Sequence, residues 1–325
     1  MSQRVSDPRV TAALEAAVST GEVGVQVTAY LGDELIVDDW VGTTDATDLA
    51  RPVDGDTLFS IFSVTKVVTA TALHLQVQRG RLAYDQPVAQ VWPEFGQAGK
   101  EGITIADVLA HRSGAPVIAE GITVEQLIDW TWMTEMIARQ EPVARPDTIN
   151  AYSPFAFGWV IGELVRRTDP SSRSFADFVR DEVLAPVGMD AFHLGVPQDQ
   201  LSRVASLTGE EPPVPIPGSL VARSSPAHLP LGPSLFNSQA IRTAVLPSFG
   251  GISTSRSVAR LLATYARGGL IDGEPFLSPE TIEYCRTPRP ADVDETYGVV
   301  MPVGKGALWL VAPAISASGP ITTGI

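Results

Sequence analysis

An α+β fold of two lobes, an antiparallel sheet flanked by helices with an all-helical lobe inserted, is predicted by three features of this 325-residue sequence. The chain opens on a hairpin pattern, continues through a long helical middle, and returns to β-rich sequence near its end. The two β-rich ends most simply meet in one sheet. Residues 1–65 and 248–325 are therefore expected to form a discontinuous sheet lobe, and residues 66–247 a mainly helical lobe. Length and a 44% hydrophobic content allow a large core.

The elements follow in order. Residues Asp7 to Thr20 place Val10, Ala13, Leu14, Ala17 and Val18 at helical spacing. Gly24 to Leu31 and Glu34 to Val41 are two β-rich runs across Gly32-Asp33, a hairpin signal. A helix then runs on from Ser63 and stops near Gly80, a left-handed terminator. Short helices are expected from Asp85 to Trp92 and from Ile103 to His111. Longer ones are expected over Thr123–Gln140, Phe155–Thr168 and Ser174–Leu184, the last broken at Ala185-Pro186. Residues 210–247 carry eight prolines and read as a surface excursion that could cover a binding site. Helices follow at Val258–Arg267 and from Ser278-Pro279, where Ser caps and Pro occupies the first turn. Tyr297 to Ala314 reads as two strands about Gly304-Lys305-Gly306.

Composition excludes several function classes. A formal net charge of −14 argues against nucleic acid and anionic membrane as partners. The first twenty residues carry Arg4, Asp7, Arg9 and Glu15 and lack an apolar stretch, so neither a signal peptide nor a membrane span is expected. Cys285 is the single cysteine, which rules out an intrachain disulfide framework and fits a reducing, cytoplasmic location. Four dispersed histidines give no metal-ligand spacing, and no cofactor is expected. A homo-oligomer is compatible with all of this.

The chemistry is concentrated at Ser63-Val64-Thr65-Lys66. Three residues apart on a helix, Ser63 and Lys66 share one face. Ser63 would sit at a helix N-terminus, where free N–H groups favour developing negative charge. Lys66 would lie among Val67, Val68 and Leu73, and burial there depresses an ammonium pKa and suits it to take a hydroxyl proton. The competing reading is an N-cap Ser beside a Lys that reaches out to water, since S-x-x-K alone recurs by chance. A second candidate is Tyr152, in the loop Asn150-Ala151-Tyr152-Ser153-Pro154, which could share a proton with Lys66. Its bland alternative is a Tyr packed beneath the next helix. His111, His74, Trp130, Trp132 and Trp159 read as packing or structural residues.

Ser63-Val64-Thr65-Lys66, followed about ninety residues later by Tyr152-Ser153-Pro154, resembles the serine β-lactamase and penicillin-binding-protein superfamily. It is most similar to the class C branch and the family VIII carboxylesterases. Leu82 to Val88, Leu109 to Gly114, Tyr152 to Arg167 and Ser248 to Leu262 extend the likeness over roughly residues 10–290. The resemblance implies a site between two lobes, with Ser63 as acyl-accepting nucleophile and Lys66 and Tyr152 as a coupled base system. It also implies an oxyanion hole made by the Ser63 N–H and an N–H from a late edge strand, for which the candidates are Ala317-Ser318-Gly319, at about the expected distance from Tyr152, and Thr322-Thr323-Gly324.

The pattern departs from the family in two places. The third residue of the Tyr-x-Asn motif is Pro154, so a side-chain amide that helps bind a β-lactam is missing, which favours an ester. No Lys-Thr-Gly occurs near the end; the tail is either an altered version of the family's end or a variant completed by a partner chain. The expected function is a serine hydrolase of small carboxylic esters. The alternatives are a β-lactam or D-amino-acid peptide hydrolase, an acyltransferase, and a catalytically silent binding protein of the same fold.

Overall fold

The computed structural model describes residues 4–307, 310–311 and 322–323. Helix α1 (Pro8–Ser19) starts where the Asp7 carboxylate accepts the Arg9 N–H at 2.8 Å, with Pro8 in the first turn. Strands β1 (Gly24–Leu31) and β2 (Glu34–Gly42) pair antiparallel, with Leu31 opposite Glu34 across a turn that needs the left-handed φ of Gly32. Among the described residues this hairpin is a two-stranded sheet, with Val5 bridging Asp38 on its β2 edge.

β3 (Phe59–Ser60) leads through a 3₁₀ turn at Phe62–Val64 into α2 (Thr65–Gln78). Helix α2 has no charged residue after Lys66, and it is buried continuously from Thr65 to Gln76. A helix apolar on every side must lie inside the fold. It stops at Gly80, whose φ is +69°. Next come α3 (Val88–Val91) and α4 (Ile105–Leu109), the latter begun by a capping box of Thr104 and Asp107.

The single helix expected over 123–140 is two, α5 (Val124–Ile128) and α6 (Trp130–Arg139). Asp129 separates them because its carboxylate accepts the Trp132 N–H and caps α6. Helix α7 (Ala156–Thr168) packs against α2. The break expected at Pro186 is absent. After α8 (Phe175–Val179) a π-helical turn at Arg180–Leu184 carries the chain into α9 (Ala185–Val187), which ends at left-handed Gly188.

β4 (Phe192–Leu194) lies within the span read as helical. The Pro-rich excursion contains α10 (Leu220–Arg223), α11 (Pro233–Phe236) and α12 (Gln239–Thr243), and its Leu235, Ile241 and Leu246 are buried in the main core. Its later part is packed on the core, whereas its start is a surface loop, with Val214 and Ile216 exposed.

β5 (Gly251–Ser253) completes an antiparallel sheet in the order β3–β5–β4, so early and late parts of the chain do meet. Helix α13 (Ser255–Ala266) lies on β1, tied by Arg256 to buried Asp38 at 2.8 Å and by Ser255 to Thr28 at 2.7 Å. Then come β6 (Leu270–Ile271), β7 (Glu274–Pro275) and α14 (Pro279–Arg286).

Strands stand on both sides of Gly304-Lys305-Gly306, but the one before it, β9 (Val299–Val300), forms its hairpin with β8 (Val293–Asp294). Asp294 makes that turn: its main-chain oxygen takes the Gly298 N–H at 2.7 Å and its carboxylate takes the Thr296 N–H. β10 (Leu310–Val311) and β11 (Thr322–Thr323) pair with each other. Among the described residues the two hairpins belong to separate sheets rather than one. No helix among them is long and apolar enough to cross a membrane.

Candidate active site

Ser63 sits in the 3₁₀ turn one step ahead of α2, and not in the α-helix itself. Amides at the start of such a turn have no acceptor within it. The preceding Phe62 is held at φ +44°, a conformation costly for a residue with a side chain. Two contacts impose it. The Phe62 ring meets Phe236 of α11 edge-on at 5.0 Å, and the Phe62 carbonyl accepts the Thr65 hydroxyl at 2.5 Å. Thr65 in turn accepts the Gly251 N–H at 2.8 Å, while the Ile61 N–H donates to the Gly251 carbonyl at 3.0 Å. The turn is thus locked to β5. A Cβ on Gly251 would lie 2.6 Å from the Thr65 hydroxyl, which explains the bare backbone there.

The Nζ of Lys66 is 3.2 Å from the Ser63 Oγ and donates to the carbonyls of Pro154 and Ser248, each at 2.9 Å. Lys66 is 3% exposed. No carboxylate among the described residues pairs with it, and burial brings its pKa down from 10.5 to about 7. The faces of Tyr152 and Phe157 flank the ammonium at 5.1 and 5.9 Å.

Ser63 is near enough to the Tyr152 hydroxyl to lower its pKa. Burial outweighs that effect and pushes the pKa up to about 12, so near neutral pH Tyr152 is a phenol that donates a proton. The loop carrying Tyr152 is fixed from several sides. The Ala151 N–H donates to the His111 carbonyl at 2.9 Å, and the Ser153 N–H donates to His111 Nδ1 at 3.1 Å. Ser153 Oγ accepts the Phe157 N–H at 3.1 Å and opens α7. The His111 ring lies between Tyr152 and Phe157, at 4.4 and 4.8 Å. Burial first, and then Lys66 and Arg289, hold His111 well below the usual imidazole range, so it stays neutral and acts as an acceptor.

Ser63 and Lys66, predicted from one motif, and Tyr152, predicted from another, therefore stand together, whereas Ala317, Ser318, Gly319 and Gly324 lie outside the described residues. Sequence reasoning missed Ser248 as a Lys66 acceptor, the carbonyl of Pro154 in the same role, and Asp294 behind Tyr152. No local signal marks a carbonyl acceptor, although Gly158 offered a hint. Its N–H donates to Ser248 Oγ at 2.7 Å, and a Cβ there would meet the Pro247 carbonyl carbon at 2.3 Å. Trp130 serves structure elsewhere, its indole N–H donating to buried Glu163 at 2.9 Å. A cavity of about 460 Å³ beside Trp130, Trp92 and Phe175 contains none of the three site side chains.

The chain is 32% identical over 271 residues to "Esterase/beta-lactamase LipL" of Mycobacterium tuberculosis, a match covering 80% of this chain and 62% of that protein. It therefore spans less than two thirds of that relative. A 71-residue stretch, 21% of this chain and 18% of the relative, is 42% identical to "Esterase EstB" of Burkholderia gladioli. Among solved structures, a family VIII carboxylesterase superposes with a TM-score of 0.87 at 30% identity, covering 98% of this chain and 85% of that one. A penicillin-binding protein homologue from Caulobacter crescentus gives 0.83 at 28% identity, covering 96% and 84%. The family model described as Beta-lactamase matches residues 10–323, and with the Ser63–Lys66–Tyr152 geometry in place the chain belongs to that family.

Proposed function

We propose that this protein is a serine hydrolase that cleaves small carboxylic esters through an acyl-enzyme on Ser63. The observation that carries the reading is the set of acceptors around Lys66. A neutral amine has two N–H groups and one lone pair. The Pro154 and Ser248 carbonyls take the two N–H groups, which leaves the lone pair for the Ser63 hydroxyl proton. A pKa of about 7 makes that neutral form available near physiological pH.

In acylation the Ser63 oxygen attacks the ester carbonyl carbon as its proton passes to Lys66. The oxyanion forms beside the Ser63 N–H. Collapse breaks the bond to the alkoxide, which takes a proton from the Tyr152 hydroxyl, and the phenolate left behind recovers a proton from Lys66, whose Nζ faces the Tyr152 ring. Water then attacks the acyl-enzyme, gives its proton to Lys66, and the carboxylic acid leaves as Ser63 is reprotonated. Pro154 offers its carbonyl to Lys66 and has no side-chain amide for an acylamino group, which supports an ester over a β-lactam. We also read residues 1–65 with 248–325 as one lobe and 66–247 as the other; the β3–β5 pairing supports joining the first two segments beside Ser63, while β4 adds a strand from the third to the same sheet.

The test is hydrolysis of p-nitrophenyl butyrate and of nitrocefin by the wild type, Ser63→Ala and Lys66→Ala. Ester turnover lost in both variants is expected. Folded wild type without ester turnover would refute the reading, and nitrocefin turnover exceeding ester turnover would change the substrate class.

A further inference from the structure

The segment that follows α14 folds back onto the Tyr152 loop and grips its main chain at both polar groups. The Tyr152 N–H donates to the Asp294 carboxylate, at 2.9 and 3.1 Å to its two oxygens, and the Tyr152 carbonyl accepts the Thr296 hydroxyl at 2.8 Å. One residue earlier in the loop than Ala151, the Asn150 carbonyl accepts the Glu295 N–H at 2.8 Å, and the Asn150 side-chain amide donates to the carbonyls of Pro290 and Asp292. Asp294 is itself held. Arg289 donates to it at 3.0 Å and to the Ala110 carbonyl at 3.0 Å, and the side chains of Arg289 and Asp294 are 1% and 0% exposed.

A buried ion pair of this kind is a weak stabiliser, because desolvation offsets its attraction. Here the account is poorer still, since Arg289 Nε is buried with no acceptor among the described residues. What the pair does supply is direction. A carboxylate oriented by Arg289 and by the Thr296 N–H presents both oxygens to one amide, that of Tyr152. With its N–H and C=O both fixed, the Tyr152 backbone aims the side chain at Ser63.

We propose that Asp294, oriented by Arg289 and assisted by Thr296, is a positioning residue for Tyr152: it sets where the phenol hydroxyl meets the Ser63 oxygen. This inference rests on Tyr152 being the proton donor. A residue that acts only through Tyr152 must lose its effect once the Tyr152 hydroxyl is gone, whereas a general structural role would not.

The experiment is a double-mutant cycle. Acylation rates with p-nitrophenyl butyrate are taken from burst kinetics for Asp294→Ala, Asp294→Asn and Thr296→Val, each alone and with Tyr152→Phe, with circular dichroism melts to fix the folded fraction. Displacement of a reacting group by about 1 Å can cost about 100-fold, so Asp294→Ala is expected to lose about tenfold or more in acylation with KM within about twofold. Asp294→Asn keeps an acceptor for the Tyr152 N–H and should recover part of the loss. In the Tyr152→Phe background both losses should shrink to about twofold or less. Equal losses in the two backgrounds, or a loss confined to KM, would overturn the inference. If Asp294→Ala does not fold, Thr296→Val decides on the same criterion. A Tyr152→Phe single variant with wild-type acylation would instead remove the proton-donor reading, and this inference with it.

Discussion

The Lys66 ammonium nitrogen lies 2.9 Å from the carbonyl oxygen of Ser248, 182 positions further along the chain. That contact joins the nucleophile's helix to the segment leading into β5. It also explains how a lysine with no carboxylate partner among the described residues stays inside the protein. Main-chain carbonyls satisfy its hydrogens without stabilising its charge as a carboxylate would, so the neutral amine is favoured.

The first prediction concerns stability. Lys66 has a pKa of about 7 in the folded protein, against 10.5 for an exposed lysine. The folded state thus binds fewer protons than the unfolded state between those limits. The penalty for burying the charge is complete below about pH 7 and is released as pH rises toward 10.5. Compared with Lys66→Met, the wild type should gain stability with rising pH in that window, by up to about 1.4 kcal/mol per pH unit. Chemical denaturation of both proteins at pH 6, 8 and 9.5 reads the difference. A gap independent of pH would mean that Lys66 keeps its charge.

The second prediction concerns Gly158. A methyl group there would sit 2.3 Å from the Pro247 carbonyl carbon and 2.5 Å from the Ser248 nitrogen, both of them backbone. Gly158→Ala must push that segment away from α7, and overpacking of this kind costs about 1–3 kcal/mol. The Ser248 carbonyl moves with it. Ester turnover should therefore fall by more than the melting shift accounts for, measured at a temperature where the variant is fully folded.

A third prediction follows from Phe62. Its left-handed conformation is held in part by the edge-on contact with Phe236, and aromatic pairs contribute about 0.5–1.5 kcal/mol beyond their buried area. Phe236→Ala should lower the melting temperature and slow acylation of Ser63 several-fold, although Phe236 lies 173 residues beyond the nucleophile (236 minus 63). Unchanged acylation would show that the 3₁₀ turn holds Ser63 without that support.

Local chemistry made the first hairpin, α1, α2 and the Ser278-Pro279 start of α14 readable, because each is specified by its own caps, turn residues or periodicity. Asp129 was overlooked because the flanking apolar positions suit one long helix, and only its carboxylate on the Trp132 N–H reveals two. Three of the site's groups were readable because Ser, Lys and Tyr carry chemistry in their side chains. The carbonyls of Pro154 and Ser248 carry none that a sequence can display. Asp294 looked like an ordinary late-chain acid, and its role comes from the fold bringing it to an amide 142 residues away.

The most direct measurement is the rate at which a small fluorophosphonate labels the protein between pH 5.5 and 9, with the modified residue located by mass spectrometry. The account predicts a single adduct on Ser63, a rate that rises with pH to a plateau with its midpoint near 7, and no labelling of Ser63→Ala. An adduct on another residue, no adduct on folded protein, or a rate that does not change across that range would contradict it.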